Sequence, residues 1–282
     1  MTETVLITGA TSGIGAEFAR QFAARGCSLV LVARAVAPLE ETAAALRARW
    51  GVDVETLAAD LLDDDGLARV LARLRVADGE AGSDASPNSV SEPVSGAESR
   101  PQSRRSGPAA VTVLVNNAGY GLVRPFADNA LDEEIRHLRI HVEVPLSLAH
   151  AALQSMRPRR SGTIINVASV AGFTPRGTYG AGKAAMISFS RWANLTYGRE
   201  GIRVTAVCPG FVHTDFHQRM GADKSGVPAL LWLDAGLVVR QALRDTAAGR
   251  AVSIPSLRYK ILTALARVAP SSMVAGFAAR GR

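Results

Sequence analysis

The chain is short of the residues from which stapled scaffolds, basic recognition arms and membrane spans are made. Cysteine occurs twice in 282 residues, at Cys27 and Cys208. No disulfide framework beyond one bridge can form, and the expected compartment is reducing and intracellular. Lysine is confined to Lys183, Lys224 and Lys260, so the formal charge of +7 comes from arginines scattered along the chain. No nucleic-acid recognition motif accompanies them, and a nucleic-acid partner is set aside. No apolar run approaches the ~20 residues that a membrane span needs. Met1-Thr2-Glu3-Thr4 has no basic leader character and runs into a strand-like segment, which gives the expectation of a soluble, cytoplasmic protein.

Against these scarcities, 48% of the residues are hydrophobic and 20% charged, the balance of a packed globular protein. Strand-like and helix-like segments alternate. Val5–Ile7, Ser28–Ala33, Val52–Ala58, Val111–Val115, Thr163–Val167 and Arg203–Val207 read as strands. Ala16–Arg25, Leu39–Trp50, Leu67–Val76, Leu131–Met156 and Tyr179–Tyr197 read as helices, the long fourth one unbroken. Such alternation means parallel strands with right-handed crossovers, a doubly wound α/β fold.

Residues 77–110 break the pattern. They are rich in Ser, Pro, Gly and Glu, contain no aromatic residue, and read as a disordered insertion. The insertion leads into the strand at Val111, hence to the amino ends of the strands. Ligands in such sheets bind beyond the carboxyl ends. The insertion is therefore expected on the far face and dispensable for activity.

Thr8-Gly9-Ala10-Thr11-Ser12-Gly13-Ile14-Gly15 joins the first strand to the first helix. Gly9 suits a tight turn, Gly13 a backbone that approaches a pyrophosphate, and Gly15 close helix–strand packing. The N–H groups at the helix start then attract phosphate. An acid at the end of the second strand would bond a ribose 2′-OH, whereas an arginine accommodates a 2′-phosphate. This chain has Ala33-Arg34-Ala35 there, which favours NADP(H) over NAD(H). Ser12 is not basic, so a second phosphate-binding charge in the turn is lacking.

Ser169 follows a strand at its carboxyl end, and Tyr179 and Lys183 stand one helical turn apart. Phenol is a poor acid–base group near neutrality, and an adjacent ammonium stabilises the phenolate. A Tyr/Lys pair can move a proton on and off a substrate oxygen while hydride moves at carbon, with Ser169 holding that oxygen.

On Thr8-Gly9-x3-Gly13-Ile14-Gly15, Asp60-Leu61, Asn116-Asn117-Ala118-Gly119, Ser169, Tyr179-x3-Lys183, and Pro209-Gly210 with Thr214, the chain resembles the short-chain dehydrogenase/reductase family. The resemblance implies a single Rossmann-like domain with a seven-stranded parallel sheet and NAD(P)-linked interconversion of alcohol and ketone. It casts Tyr179 as proton donor and acceptor, and Lys183 as its electrostatic partner and a ribose ligand. It places Asp60 and Leu61 at the adenine, Asn117 at the ribose, and Val212 with Thr214 at the nicotinamide. It makes 211–234, with Phe216, His217, Met220 and Trp232, a substrate lid suited to a mid-sized apolar ketone or alcohol. Helices 131–156 and 179–197 would form a homodimer or homotetramer surface.

Two features depart from the family. The Ser169–Tyr179 gap is short, implying a tighter loop and a more open mouth there. His141 occupies the register of a catalytic asparagine, where it either titrates in a proton relay or packs as a core histidine. The basic C-terminal extension, 250–282, contains an amphipathic stretch in which Leu257, Ile261, Leu262, Leu265 and Val268 share a face. That face is expected to pack on the domain, with membrane-surface docking the alternative. A catalytically idle, dinucleotide-sensing relative of the same fold is the competing functional reading; retention of both Tyr179 and Lys183 counts against it.

Overall fold

A computed structural model describes residues 3–76, 108–122, 124–214 and 227–269. Most of the expected insertion, the lid residues Phe216, His217 and Met220, and the C-terminal extension from 270 onward lie outside the described residues.

Strands β1 (Thr4–Thr8), β2 (Ser28–Ala33), β3 (Val54–Ala58), β4 (Val113–Asn116), β5 (Gly162–Val167) and β6 (Ile202–Val207) alternate with helices α1 (Gly13–Ala23), α2 (Val36–Trp50), α3 (Asp64–Arg75), α4 (Leu131–Leu138), α5 (Val144–Met156) and α6 (Gly177–Tyr197). Strands β7 (Phe211–Val212), β8 (Trp232–Leu233) and β9 (Val252–Ser253) and two helices, Ala235–Ala247 and Leu257–Val268, follow among the described residues. Seven strands form one parallel sheet in the order β3-β2-β1-β4-β5-β6-β9. Successive strand side chains point to opposite faces. Accordingly Val5, Ile7, Val113 and Val115 join one core with α1, α2 and the Ala235–Ala247 helix. Leu6, Leu114 and Ile164 join the other with α3 and α5. Coverage on both faces explains why the strands are nearly continuous apolar runs.

Local chemistry sets the element ends. The Asp63 carboxylate caps α3 by accepting from Gly66 N–H at 3.0 Å, and Asp64 and Asp65 fill the first turn, where the helix dipole favours them. Helix α1 stops before Gly26, whose φ of +78° carries the chain back toward β2.

The long helix expected over Leu131–Met156 is not uniform. A π turn, Arg139–Glu143, separates α4 from α5. Pro145 is the physical reason: it has no N–H for the His141 carbonyl four residues back, and its ring crowds that carbonyl.

The terminal helix also corrects an expectation. It turns Tyr259 and Thr263 inward, while Leu257, Ile261, Leu262 and Leu265 are 73%, 53%, 44% and 57% exposed. The face expected to pack is the outer one. Among the described residues no helix is long and apolar enough to cross a membrane.

Candidate active site

The strand order reverses between β1 and β4, and residues following the carboxyl ends of the strands converge there. Gly9 after β1 and Gly13 at the start of α1 have φ of +67° and +55°, which side chains other than glycine rarely adopt. A Cβ on Gly15 would lie 2.2 Å from the Gly9 carbonyl oxygen, so α1 seats on the turn only because that position is bare. Ser12 occupies the N-cap without a side-chain capping bond, and the first turn of α1 holds no acid. The turn is thus a bare, amide-rich cradle with positive partial charge, and it fits a pyrophosphate. Thr11, Ser12 and Ile14 are partly exposed around it. The Thr214 methyl would be 3.1 Å from a Cβ on Gly13, which puts Thr214 against the cradle.

The Asn117 carboxamide supports the glycine turn. Its Nδ2 donates to the Thr8 and Gly9 carbonyls at 2.9 and 3.2 Å, and its backbone N–H donates to Thr8 Oγ1 at 2.9 Å. The side chain buttresses the glycine turn and offers a ligand only its remaining oxygen. Arg34 is exposed just past β2. Asp60 lies past β3, with Oδ1 accepting from Leu62 N–H at 3.0 Å. Leu61 is buried in the core, so only its backbone is available to a ligand.

Ser169 caps a short 3-10 turn, Val170–Phe173, its Oγ accepting from Ala171 N–H at 3.1 Å. Helix α6 begins at Gly177, two residues ahead of Tyr179. The ten-residue gap does not separate the pair, because the Ser169 and Tyr179 side chains are hydrogen-bonded. Tyr179 is partly exposed at its ring but buried at its hydroxyl. Lys183, 7% exposed, donates from Nζ to the Val167 carbonyl at 2.8 Å and stands 5.6 Å from the Tyr179 ring centroid.

In this geometry burial raises the Tyr179 pKa above its usual value, and the Ser169 hydrogen bond and nearby Arg176 oppose the rise. The expected acidification by Lys183 is not what dominates here. Burial itself pulls the ammonium of Lys183 down to about 8, with only a small opposing influence from Cys208.

The second surprise is a pair of histidines one helical turn apart. His137 and His141 are both buried, with ring centroids 4.6 Å apart. Their Nε2 atoms converge on the Tyr120 carbonyl at 3.2 and 2.6 Å. A carbonyl only accepts, so each neutral ring carries its proton on Nε2 and leaves Nδ1 as an acceptor; both Nδ1 atoms are buried without a hydrogen-bond partner. Burial, then the neighbouring Lys183 and His137, hold the His141 pKa well below its usual value. That direction favours the neutral ring at physiological pH, the state in which either a relay or a packed core histidine would sit. Its ring packs edge-on against Tyr179 at 5.4 Å, and a Cβ on Gly119 would fall 2.4 Å from its Cε1. Glu134, also buried, hydrogen-bonds Thr178 Oγ1 at 2.5 Å, next to Tyr179. His141, Lys183, Asn116 and Asn166 line a cavity of about 20 Å³, room for a single water at roughly 10–15 Å³.

The sequence reading missed Tyr120, Glu134, His137 and Tyr259. The His137–His141 spacing of four was the one available signal. Tyr259 Oη accepts from Phe211 N–H at 3.0 Å and donates to the Leu231 carbonyl at 2.7 Å, tying together the two ends of the expected lid. Val212 is buried at the first of those ends.

Comparison with known proteins agrees with this architecture. A profile described as "short chain dehydrogenase" matches residues 3–80 and 103–225. A short-chain dehydrogenase from Sphingobium yanoikuyae, solved in complex with NADPH, is 33% identical, with 93% of this chain and 92% of that one aligned at a TM-score of 0.76. The bulky-bulky ketone specific alcohol dehydrogenase from Comamonas testosteroni is 30% identical over 92% of this chain and 90% of its own, at 0.72. A sulfoacetaldehyde reductase from Chromohalobacter salexigens is 33% identical over 237 residues, 82% of this chain and 81% of that protein.

Proposed function

This chain belongs to the short-chain dehydrogenase family and is an oxidoreductase, and we propose that it transfers hydride between NADP(H) and a mid-sized apolar ketone or secondary alcohol. The observation that carries this reading is the convergence of Ser169, Tyr179 and Lys183 beside a bare glycine cradle at the switch point of the sheet. Arg34 past β2, with no acid at that position, supports the phosphorylated cofactor, as does the NADPH held by the Sphingobium relative. The apolar residues of 211–234 and the ketone named for the Comamonas relative support the substrate class.

When bound, the nicotinamide supplies the hydride donor or acceptor. The residues of this chain handle the proton and the geometry. The α1 N-terminus and the Gly9–Gly15 turn hold the pyrophosphate, Arg34 the 2′-phosphate, Asp60 and Leu61 the adenine side. Val212 and Thr214 meet the nicotinamide end. The Ser169 hydroxyl orients the substrate oxygen, and the Tyr179 phenol exchanges a proton with that oxygen. At pH 7 about nine-tenths of Lys183 is charged, since its pKa is about 8. A charged Lys183 favours phenolate whenever Tyr179 gives up its proton. His141, neutral and with Nδ1 free to accept, shares a water-sized cavity with Lys183 and serves a proton relay behind the pair.

The enzyme works in the cytoplasm as a homodimer or homotetramer. Leu131 and Ile135 on α4, and Trp192 and Leu195 on α6, are exposed and available for that contact. The test is a fluorescence titration with NADPH and NADH, followed by turnover on a panel of apolar ketones. Tyr179→Phe should keep NADPH binding and lose turnover by about two to four orders of magnitude. Wild-type turnover in that variant overturns the reading.

A further inference from the structure

The outer face of the Leu257–Val268 helix is an exposed apolar feature that catalysis leaves unused. Leu257, Ile261 and Leu265 recur every four residues on one exposed stripe. Leu230, 65% exposed, extends the patch, because Arg258 Nη1 hydrogen-bonds its carbonyl. Lys260 is exposed beside the stripe. The helix is held from behind by Tyr259 and Thr263, each 4% exposed, so the stripe is presented on a fixed support. Contiguous apolar patches rimmed by charge mark interaction sites on otherwise soluble proteins.

Charge decides the occupant. From 246 to 282 the sequence has no Asp or Glu, yet it contains six cations; Arg250 is paired with Asp245, which leaves Arg258 and Lys260 on the described part of the helix. In a two-fold contact of this helix with a second copy, the same patch meets itself, and Arg258 and Lys260 would face their copies without an acid on the helix to pair them. An anionic lipid surface satisfies both halves at once: the Leu/Ile stripe enters the acyl boundary while the flanking cations meet phosphate. We propose that this face docks the enzyme on anionic membranes, lying on the surface without crossing it, with the end of the lid at Leu230 turned toward the lipid.

The test uses the full-length protein in vesicle flotation. It should float with phosphatidylglycerol vesicles, stay behind with phosphatidylcholine vesicles, and be released by salt. Leu257→Glu, Ile261→Glu and Leu265→Glu together should cut the floated fraction by at least about tenfold. Lys260→Glu, a milder change at an exposed site, should weaken binding several-fold. Both variants should bind NADPH and melt as the wild type does. Three results would overturn the proposal. One is absence of flotation on anionic vesicles. Another is equal flotation of wild type and triple variant. The third is a drop in oligomer mass of the triple variant without any lipid binding in the wild type, which would assign the face to a second copy.

Discussion

Replacing Lys183 by methionine separates the cost of burying the ammonium from its use. The folded lysine has a pKa of about 8, against 10.5 for the exposed group. Because the folded value is the lower one, the folded chain binds fewer protons than the unfolded chain between pH 8 and 10.5. Stability rises with pH across that window. The gap corresponds to about 3 kcal/mol of penalty, fully present below pH 8 and gone above 10.5. Methionine keeps most of the volume and removes the charge. It also strips the Val167 carbonyl of its 2.8 Å donor, a loss of about 1 kcal/mol that does not vary with pH. Lys183→Met should therefore be more stable than wild type at pH 7 by about 2 kcal/mol and close to parity at pH 9.5, as the wild type recovers about 2 kcal/mol over that interval. Urea unfolding at the two pH values, with matching slopes, reads this directly. The variant should be inactive at both. A stability difference that stays flat with pH, or a wild type that is the more stable protein at pH 7, refutes the assignment of Lys183 as a buried cation kept for chemistry.

Tyr259→Phe should leave Phe211 N–H and the Leu231 carbonyl without their shared hydroxyl, at a cost of about 2 kcal/mol or more in denaturant unfolding; an unchanged midpoint would show that the lid ends do not depend on it. His141→Ala should alter the shape of the pH–rate profile, and an identical profile would leave His141 as packing alone. Deleting residues 79–106 should preserve both the fold by circular dichroism and the activity. The family match itself omits residues 81–102, and loss of activity in a folded deletion would place the insertion at the site.

The sequence by itself determined the alternation of the first six strands with helices and the residue patterns at their carboxyl ends, whereas the strand order and the seventh strand, Val252–Ser253, came from the fold. Continuous apolar strands, covered on both faces, announce themselves locally. So do the glycines of the Thr8–Gly15 turn and the four-residue spacing of Tyr179 and Lys183, because each depends on backbone sterics or helical periodicity within a few residues. Only the tertiary structure decided the rest. Whether burial or charge governs the Tyr179 and Lys183 protons depends on how much protein surrounds them, and in this fold burial dominates both. That His137 and His141 share the Tyr120 carbonyl depends on the loop after β4 meeting the π turn that Pro145 imposes. The terminal helix shows the limit most plainly. Periodicity identifies its apolar stripe, but which face turns inward was settled by Tyr259, whose hydroxyl finds two backbone partners at the ends of the lid and leaves the stripe in solvent.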